Sequence, residues 1–277
     1  MNAPLTSPVE SPQQAAGPVL KFSGVTVSFD GPPVLNDISF SVAPGETRIL
    51  LGPAGVGKSV LLKTANGLIQ PDSGTVTILG ETITGLPERL LIPMRARTGM
   101  VFQEGALFDS LPVRDNVAYQ LIQEKVADEE IDERVHIALR FVGLEQTFSL
   151  FPGSLSGGMR RRVAIARALI HYPELLLYDS PTGGLDPVTS TTIIELIVKQ
   201  RDVYKTPSLL VTHRLQDAFT MCSHRFDTEK DAMVPLPDGE THASTTFLML
   251  NDGKLIFDGS LHDLVHSENE FVREFLE

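Results

Sequence analysis

The stretch GPAGVGKS, Gly52 to Ser59, limits the possible folds of this chain more than any other. It fits the pattern G-x-x-x-x-G-K-[ST] and lies between an apolar run, TRILLG, and a helix-like segment, SVLLKTANGL. Glycines at 52, 55 and 57 let backbone N–H groups converge on phosphate oxygens, and the helix behind them aims its positive end at the same anion. Pro53, Ala54, Val56 and Val60 belong to the same cradle. Lys58 is placed to reach β- and γ-phosphates, and the Ser59 hydroxyl is placed to ligate Mg2+.

A second segment completes that chemistry. In LLLYDSPTGG, residues 175–184, a continuous apolar run suits a strand buried on both faces and ends in Asp179. A carboxylate at the C-terminal edge of a parallel strand sits where such sheets bind ligands, and it can hold Mg2+ opposite Ser59. Ser180 follows directly.

The rest of the chain alternates in the same rhythm. VLKFSGVTVSF (19–29), VLNDISFSV (34–42), TRILLG (47–52) and GTVTILG (74–80) read as strands. In DEEIDERVHIALRFVGL, Ile131, Val135, Leu139 and Val142 recur at helical spacing, acids crowd the first turn and Gly143 is placed to end the helix. GGMRRRVAIARALIHY (157–172) reads as a second helix stopped by Pro173, with Arg160, Arg161, Arg162 and Arg167 as a solvated face. Strand ELLLYD, helix PVTSTTIIELIVKQRDVY, strand PSLLVTH and helix RLQDAFTMC give the βαβ order of a mostly parallel sheet. TFLMLNDGKLIFDG closes the domain as a hairpin around an Asn-Asp-Gly turn.

Charge narrows the partners. Thirty-five acids against 23 bases give a net charge of -12, which argues against nucleic acid, because phosphate neutralisation needs a basic surface. One cysteine, Cys222, excludes an internal disulfide framework and fits a reducing compartment. No segment approaches the roughly 20 apolar residues that cross a bilayer, so a soluble chain able to dock on a membrane protein is expected. Residues 1–18, MNAPLTSPVESPQQAAGP, lack the basic and apolar regions of a signal peptide and read as a disordered tail.

At LSGGM, Leu155 to Met159, the chain resembles the ATP-binding cassette (ABC) ATPases, whose signature motif this is. The resemblance runs over about residues 19–277. It implies an α/β fold: a P-loop NTPase (RecA-like) core with an antiparallel β-subdomain and an inserted α-helical subdomain at about 104–172. It implies ATP and Mg2+ as cofactors and assigns further residues by order and spacing. Phe29 falls where an aromatic ring stacks on adenine, and Gln103 in VFQE where a glutamine contacts Mg2+ and the attacking water. Asp186 lies in GLDP, the D-loop, and His213 where a histidine senses the γ-phosphate. Taken singly, Phe29 is a core aromatic, Gln103 a surface polar residue and His213 a strand-end histidine.

Ser156, Gly157 and Gly158 open a long helix and offer a hydroxyl, bare amides and a helix N-terminus to an anion. By family precedent this motif covers the phosphate loop of a second ABC subunit, so a homodimer is implied. MRARTGMVFQEGALFDSLPVRDNVAY, GGMRRRVAIARAL and FVREFLE are similar to cassettes of the Mla/Mce lipid-trafficking type. That implies an integral membrane permease, Mce-domain or other envelope lipid-carrier proteins as partners, and a place on the inner face of the cytoplasmic membrane. An importer of a small polar solute is the alternative within the family, and a nucleotide-switched binding module the alternative outside transport.

Two departures stand out. Ser180 occupies the position of the family's glutamate, the general base or water-orienting group, and serine cannot accept a proton near neutral pH. Slow hydrolysis is expected, whether from a natural degenerate cassette with another water-orienting group, a regulatory subunit or an engineered substitution. Residues 226–246, FDTEKDAMVPLPDGETHASTT, form an atypical insertion that reads as a polar surface loop, or else as a partner contact.

Overall fold

The computed structural model describes residues 17–277, so the tail expected over 1–18 lies, up to residue 16, outside the described residues. The strands are β1 Leu20–Ser28, β2 Pro33–Val42, β3 Thr47–Leu51, β4 Ser73–Ile78, β5 Glu81–Thr82, β6 Thr98–Val101, β7 Leu175–Asp179, β8 Ser208–Val211, β9 His224–Asp227, β10 Ala232–Pro235, β11 Thr245–Asn251 and β12 Lys254–Gly259. The helices are α1 Lys58–Ala65, α2 Glu88–Ala96, α3 Val113–Gln123, α4 Asp128–Phe141, α5 Gly157–Leu169, α6 Pro187–Lys199, α7 Leu215–Ser223, α8 Leu261–Val265 and α9 Glu270–Leu276.

A six-stranded sheet in the order β12-β11-β3-β8-β7-β6 forms the centre. Every neighbouring pair in it is parallel except the β11–β12 hairpin. Its strands divide their side chains between two cores, as period-2 alternation requires. Ile49 and Leu51 of β3, Leu176 and Tyr178 of β7, Leu210 of β8 and Phe247 and Met249 of β11 face one core. Leu50, Leu175, Leu177, Leu209, Val211, Leu248 and Leu250 face the other. Helices α3 to α7 cover the first face, while α1, α2 and the antiparallel sheet β2-β1-β4-β5 cover the second. This is the cassette arrangement expected from the sequence: an α/β core, an antiparallel sheet beside it, and a helical layer in which α5 packs on α3, α4, α6 and β6.

Several boundaries differ from the sequence reading. The helix expected over 157–172 ends at Leu169, because Tyr172 takes φ +52 and its N–H turns back to the Leu169 carbonyl. The helix after Asp186 is α-helical to Lys199 and finishes in a π-turn, Gln200–Tyr204. Residues 226–246, expected as an inserted surface loop, are not a plain loop. β9 and β10 pair as a hairpin from Asp227↔Ala232 to His224↔Pro235. The hairpin is seated on α6, where Met233 N–H donates to Glu195 Oε1 at 2.9 Å and Lys199 Nζ to Asp231 Oδ1 at 2.8 Å.

A polar node under the hairpin explains why it is ordered. Arg201, nearly fully buried, donates to the carbonyls of Met221 and His224 and to Thr245 Oγ1. Asp202 accepts from Arg201, from Phe226 N–H at 2.7 Å and from His242 Nε2 at 3.1 Å. Both ends of the insertion therefore close on two adjacent residues of the π-turn.

Candidate functional site

The sheet register puts four chain segments on one edge. Gly52 follows β3, Gln103 lies two residues after β6, Ser180 follows β7, and His213 lies two residues after β8. All four strands are parallel, with Val101 opposite Tyr178 and Asp179 opposite Val211. Their C-terminal ends therefore open on the same side, where open α/β sheets bind ligands.

The phosphate loop is shaped by close contacts that only glycine permits. Gly52 sits at φ +146, and a Cβ there would lie 2.3 Å from the Leu250 carbonyl oxygen of β11. Gly57 sits at φ +105 as the N-cap of α1, with Val34 Cγ1 2.9 Å from the place of a Cβ. Around Gly55 the space is open. Pro53 and Ala54 sit at the loop's outer side, and Val56 and Val60 pack on the second core. The first turn of α1 carries no acid, so the positive end of its dipole is unopposed.

Lys58 Nζ donates to the carbonyls of Gly52 at 2.8 Å and Pro53 at 2.6 Å, which anchors the ammonium inside the loop. Burial lowers its pKa, and the Asp179 charge opposes that shift. Ser59 Oγ donates to Asp179 Oδ1 at 3.0 Å. Burial raises the Asp179 pKa, while the Ser59 hydrogen bond and the charges of Lys63, Lys58 and Arg161 pull it back. A hydroxyl and a carboxylate side by side are the hard oxygen ligands that suit Mg2+, next to amides and a lysine that suit phosphate. These residues fit Mg-ATP.

Ser180 is buried and sits at φ +44, a left-handed conformation that costs a non-glycine residue about 1–3 kcal/mol. Its N–H donates to the Val211 carbonyl at 2.9 Å, and its carbonyl accepts from Gly183 N–H at 2.9 Å. Gln103, exposed, abuts that turn: its Nε2 is 3.4 Å from where a Cβ of Gly183 would lie. His213 is exposed beside Thr212, whose N–H extends the sheet by donating to the Leu50 carbonyl at 3.1 Å. Phe29, 55% exposed, lies in the turn before β2, whose second residue, Val34, has its Cγ1 2.9 Å from where a Cβ of Gly57 would stand.

The signature residues form a second helix end. Ser156 caps α5 and accepts from Met159 N–H at 3.2 Å, Leu155 is buried beneath it, and Gly157 is exposed. At Gly158 a Cβ would stand 2.3 Å from Thr189 Cγ2, so α5 and α6 cross there with no room for a side chain. Asp186 is the N-cap of α6 and accepts from Thr189 N–H at 3.0 Å and Thr189 Oγ1 at 2.6 Å. The structure does not join this end to the phosphate loop: α1 and α5 pack on opposite faces of the sheet.

The arginines of α5 are not a solvated face. Arg160 donates to the Leu155 carbonyl, Arg162 to that of Val142, and Arg167 to those of Gly105 and Ala106. Arg161 is buried and donates to the carbonyls of Ser180 and Gly183. Arg214, beside His213, donates to the Thr182 carbonyl at 3.3 Å and to Ser190 Oγ at 2.7 Å. Thr182 Oγ1 in turn donates to Asp217. The sequence holds one signal for Arg161: Gly158, Arg161, Ile165 and Ala168 share one helical stripe, and the other three are buried.

Comparison with known proteins bears on the family and the fold. The ABC transporter family profile matches residues 35–183. The chloroplastic protein TRIGALACTOSYLDIACYLGLYCEROL 3 of Arabidopsis thaliana is 38% identical over 90% of this chain and 70% of its own length. The methionine import ATP-binding protein MetN of Rhizobium etli is 42% identical over 74% of this chain, which spans only 57% of that relative. A dimeric ATP-binding cassette in a post-hydrolysis state, bound to ADP and Pi, superposes with a TM-score of 0.73 at 28% identity, covering 87% of this chain and 98% of the other.

Proposed function

The chain belongs to the ABC transporter family, and we propose that within it the chain is the energy-coupling cassette of a system of the Mla/Mce lipid-trafficking type. Its coarser character follows from the family: it is an ATP-binding subunit with ABC-type ATPase chemistry that uses ATP with Mg2+. The observation that carries the reading of the site is the Ser59–Asp179 hydrogen bond, which sets the metal-ligand pair beside Lys58 at the shared edge of β3, β6, β7 and β8.

The residues divide the work. The amides of Gly55 to Ser59 and the Lys58 ammonium hold the β- and γ-phosphates. Ser59, Gln103 and Asp179 would hold Mg2+, which when bound would neutralise phosphate charge. Phe29 offers a flat ring to the base. Gln103 and His213 flank the position of the attacking water, and Ser180 lacks the carboxylate that would orient or deprotonate it. Loss of a positioned general base costs about 10²- to 10⁴-fold in rate, so binding is intact and turnover slow.

Leu155 to Met159, with Asp186 at the adjoining helix end, serve the ATP of a second copy in a head-to-tail homodimer. Among the described residues no helix is long and apolar enough to cross a membrane. In this reading the chain attaches to the inner face of the cytoplasmic membrane through a permease, with Mce-domain or similar envelope carriers beyond it.

Lipid as cargo is supported by the relative named for a galactosyl diacylglycerol, which matches 90% of this chain. The methionine-import relative favours a small polar solute, and Ser180 favours a nucleotide-gated module with little hydrolysis. Purifying the native complex and identifying bound molecules by mass spectrometry tests the first two: stoichiometric phospholipid supports the lipid reading, and methionine without lipid overturns it. ATP-driven assembly without phosphate release, in the complex with its permease, would favour the third.

A further inference from the structure

Arg161 is the side chain that the site's known parts leave unexplained. It is 5% exposed, on the helix that begins with the signature residues. A buried guanidinium is ordinarily matched by a carboxylate in direct contact, since an unpaired charge is costly to desolvate. Among the described residues Arg161 has no ion pair within 4.0 Å. Its Nη1 instead donates to the Ser180 carbonyl at 3.2 Å and its Nη2 to the Gly183 carbonyl at 3.3 Å. Burial lowers its pKa, while the more distant charges of Glu104 and Asp179 oppose that shift, and an arginine stays charged regardless.

The gripped segment is the one that needs holding. Ser180 stands in the left-handed region without being glycine, and such a conformation persists only where its surroundings over-determine it. Its N–H is tied to β8 through Val211, and the Ser180–Gly183 turn closes on its own hydrogen bond. The two guanidinium bonds are what the signature helix adds. Gln103 borders the same turn, with its Nε2 3.4 Å from where a Cβ of Gly183 would lie.

We propose that Arg161 is a positioning residue for hydrolysis, fixing the Ser180–Gly183 turn so that Ser180, which follows Asp179, and Gln103, which borders the turn, keep their place at the ATP site. The inference rests on the ATPase reading above. It makes α5 serve both ends of the reaction: its N-terminus faces a partner's nucleotide, and Arg161, in its second turn, holds the chain's own catalytic edge.

Three measurements on Arg161→Met, which keeps much of the volume and loses both donors, and on Arg161→Lys, which keeps the charge, test it. Phosphate release should show kcat lower by about tenfold or more in Arg161→Met, as a misplaced site requires, with partial recovery in Arg161→Lys. The Kd for a non-hydrolysable ATP analogue should stay within roughly twofold, because the phosphate loop is untouched. Amide exchange at Ser180 and Gly183 should speed up by about tenfold or more while β3 amides stay protected.

An unchanged kcat, or a Kd that weakens in step with kcat while exchange rises across the whole core, overturns the proposal and leaves Arg161 as packing. If Arg161→Met does not fold, Arg161→Lys carries the same three readouts. Should neither the native chain nor Ser180→Glu release phosphate, the ATPase reading fails. The exchange result then decides the role of Arg161 in holding the turn: local acceleration supports it, and none removes it.

Discussion

Ser59 Oγ and Asp179 Oδ1 lie 3.0 Å apart across 120 positions of sequence, joining the first turn of α1 to the end of β7. Neither residue is informative alone, since serines often start helices and aspartates often end strands. Their contact sets a hydroxyl beside a carboxylate, the pair proposed above for Mg2+, because β3 and β7 are held in register by β8 between them.

Ser59→Ala removes one oxygen of that pair and leaves the loop amides in place. The Mg2+-dependent part of ATP affinity should fall by at least about tenfold, in line with the loss of a group that supports a metal site. Calorimetric titration with and without Mg2+ checks it: affinity measured in EDTA should be unchanged, and an equal loss in both conditions would count against a metal-ligand role.

Gly158→Ala pushes a Cβ into the crossing of α5 and α6, 2.3 Å from Thr189 Cγ2. Overpacking of this kind destabilises by about 1–3 kcal/mol. Thr189→Ser deletes that methyl while keeping the hydroxyl bonded to Asp186. The double variant should recover most of the stability lost in chemical denaturation, and additive losses would show that the crossing is not the constraint.

The node under the β9–β10 hairpin gives the fold a pH dependence. Burial alone would raise the Asp202 pKa, but hydrogen bonds from His242 and Arg201, the Arg201 charge and the Phe226 N–H outweigh it and hold the carboxyl well below its ordinary range. The unfolded chain, titrating near 3.9, therefore takes up the proton first as pH falls. The stabilisation from Asp202 is complete above about pH 5 and is lost on going further into acid. Asp202→Asn should lower stability at pH 7 by about 3 kcal/mol or more, because it strands the buried Arg201. Its Tm should then fall less steeply between pH 5 and pH 3 than that of the native chain, and parallel profiles would contradict this.

The parts of the fold written in local chemistry were legible. The phosphate loop needs glycine and lysine at fixed offsets, and strand Leu175–Asp179 is apolar on both faces because both faces are covered. The illegible parts depend on partners far along the chain. Arg161 is polar in a helix, where exposure is the default, and only the turn at Ser180–Gly183 gives it a buried partner. β9 reads HRFD, with no apolar alternation, and it is ordered by residues 201 and 202. In α3, Val113, Val117 and Leu121 recur at helical spacing, but Asn116 interrupts the stripe; it is buried because its amide bonds the Phe108, Leu111 and Pro112 carbonyls.

The central claim is that this cassette binds Mg-ATP with its phosphate machinery intact and that Ser180 limits its turnover. Steady-state phosphate release by the native chain and by Ser180→Glu, at saturating Mg-ATP and under the same conditions, addresses it most directly. The glutamate variant should turn over faster by at least about tenfold, toward the 10²- to 10⁴-fold that a positioned general base contributes, with KM little changed. Equal turnover in the two proteins would show that the step is limited elsewhere and that the missing carboxylate does not matter.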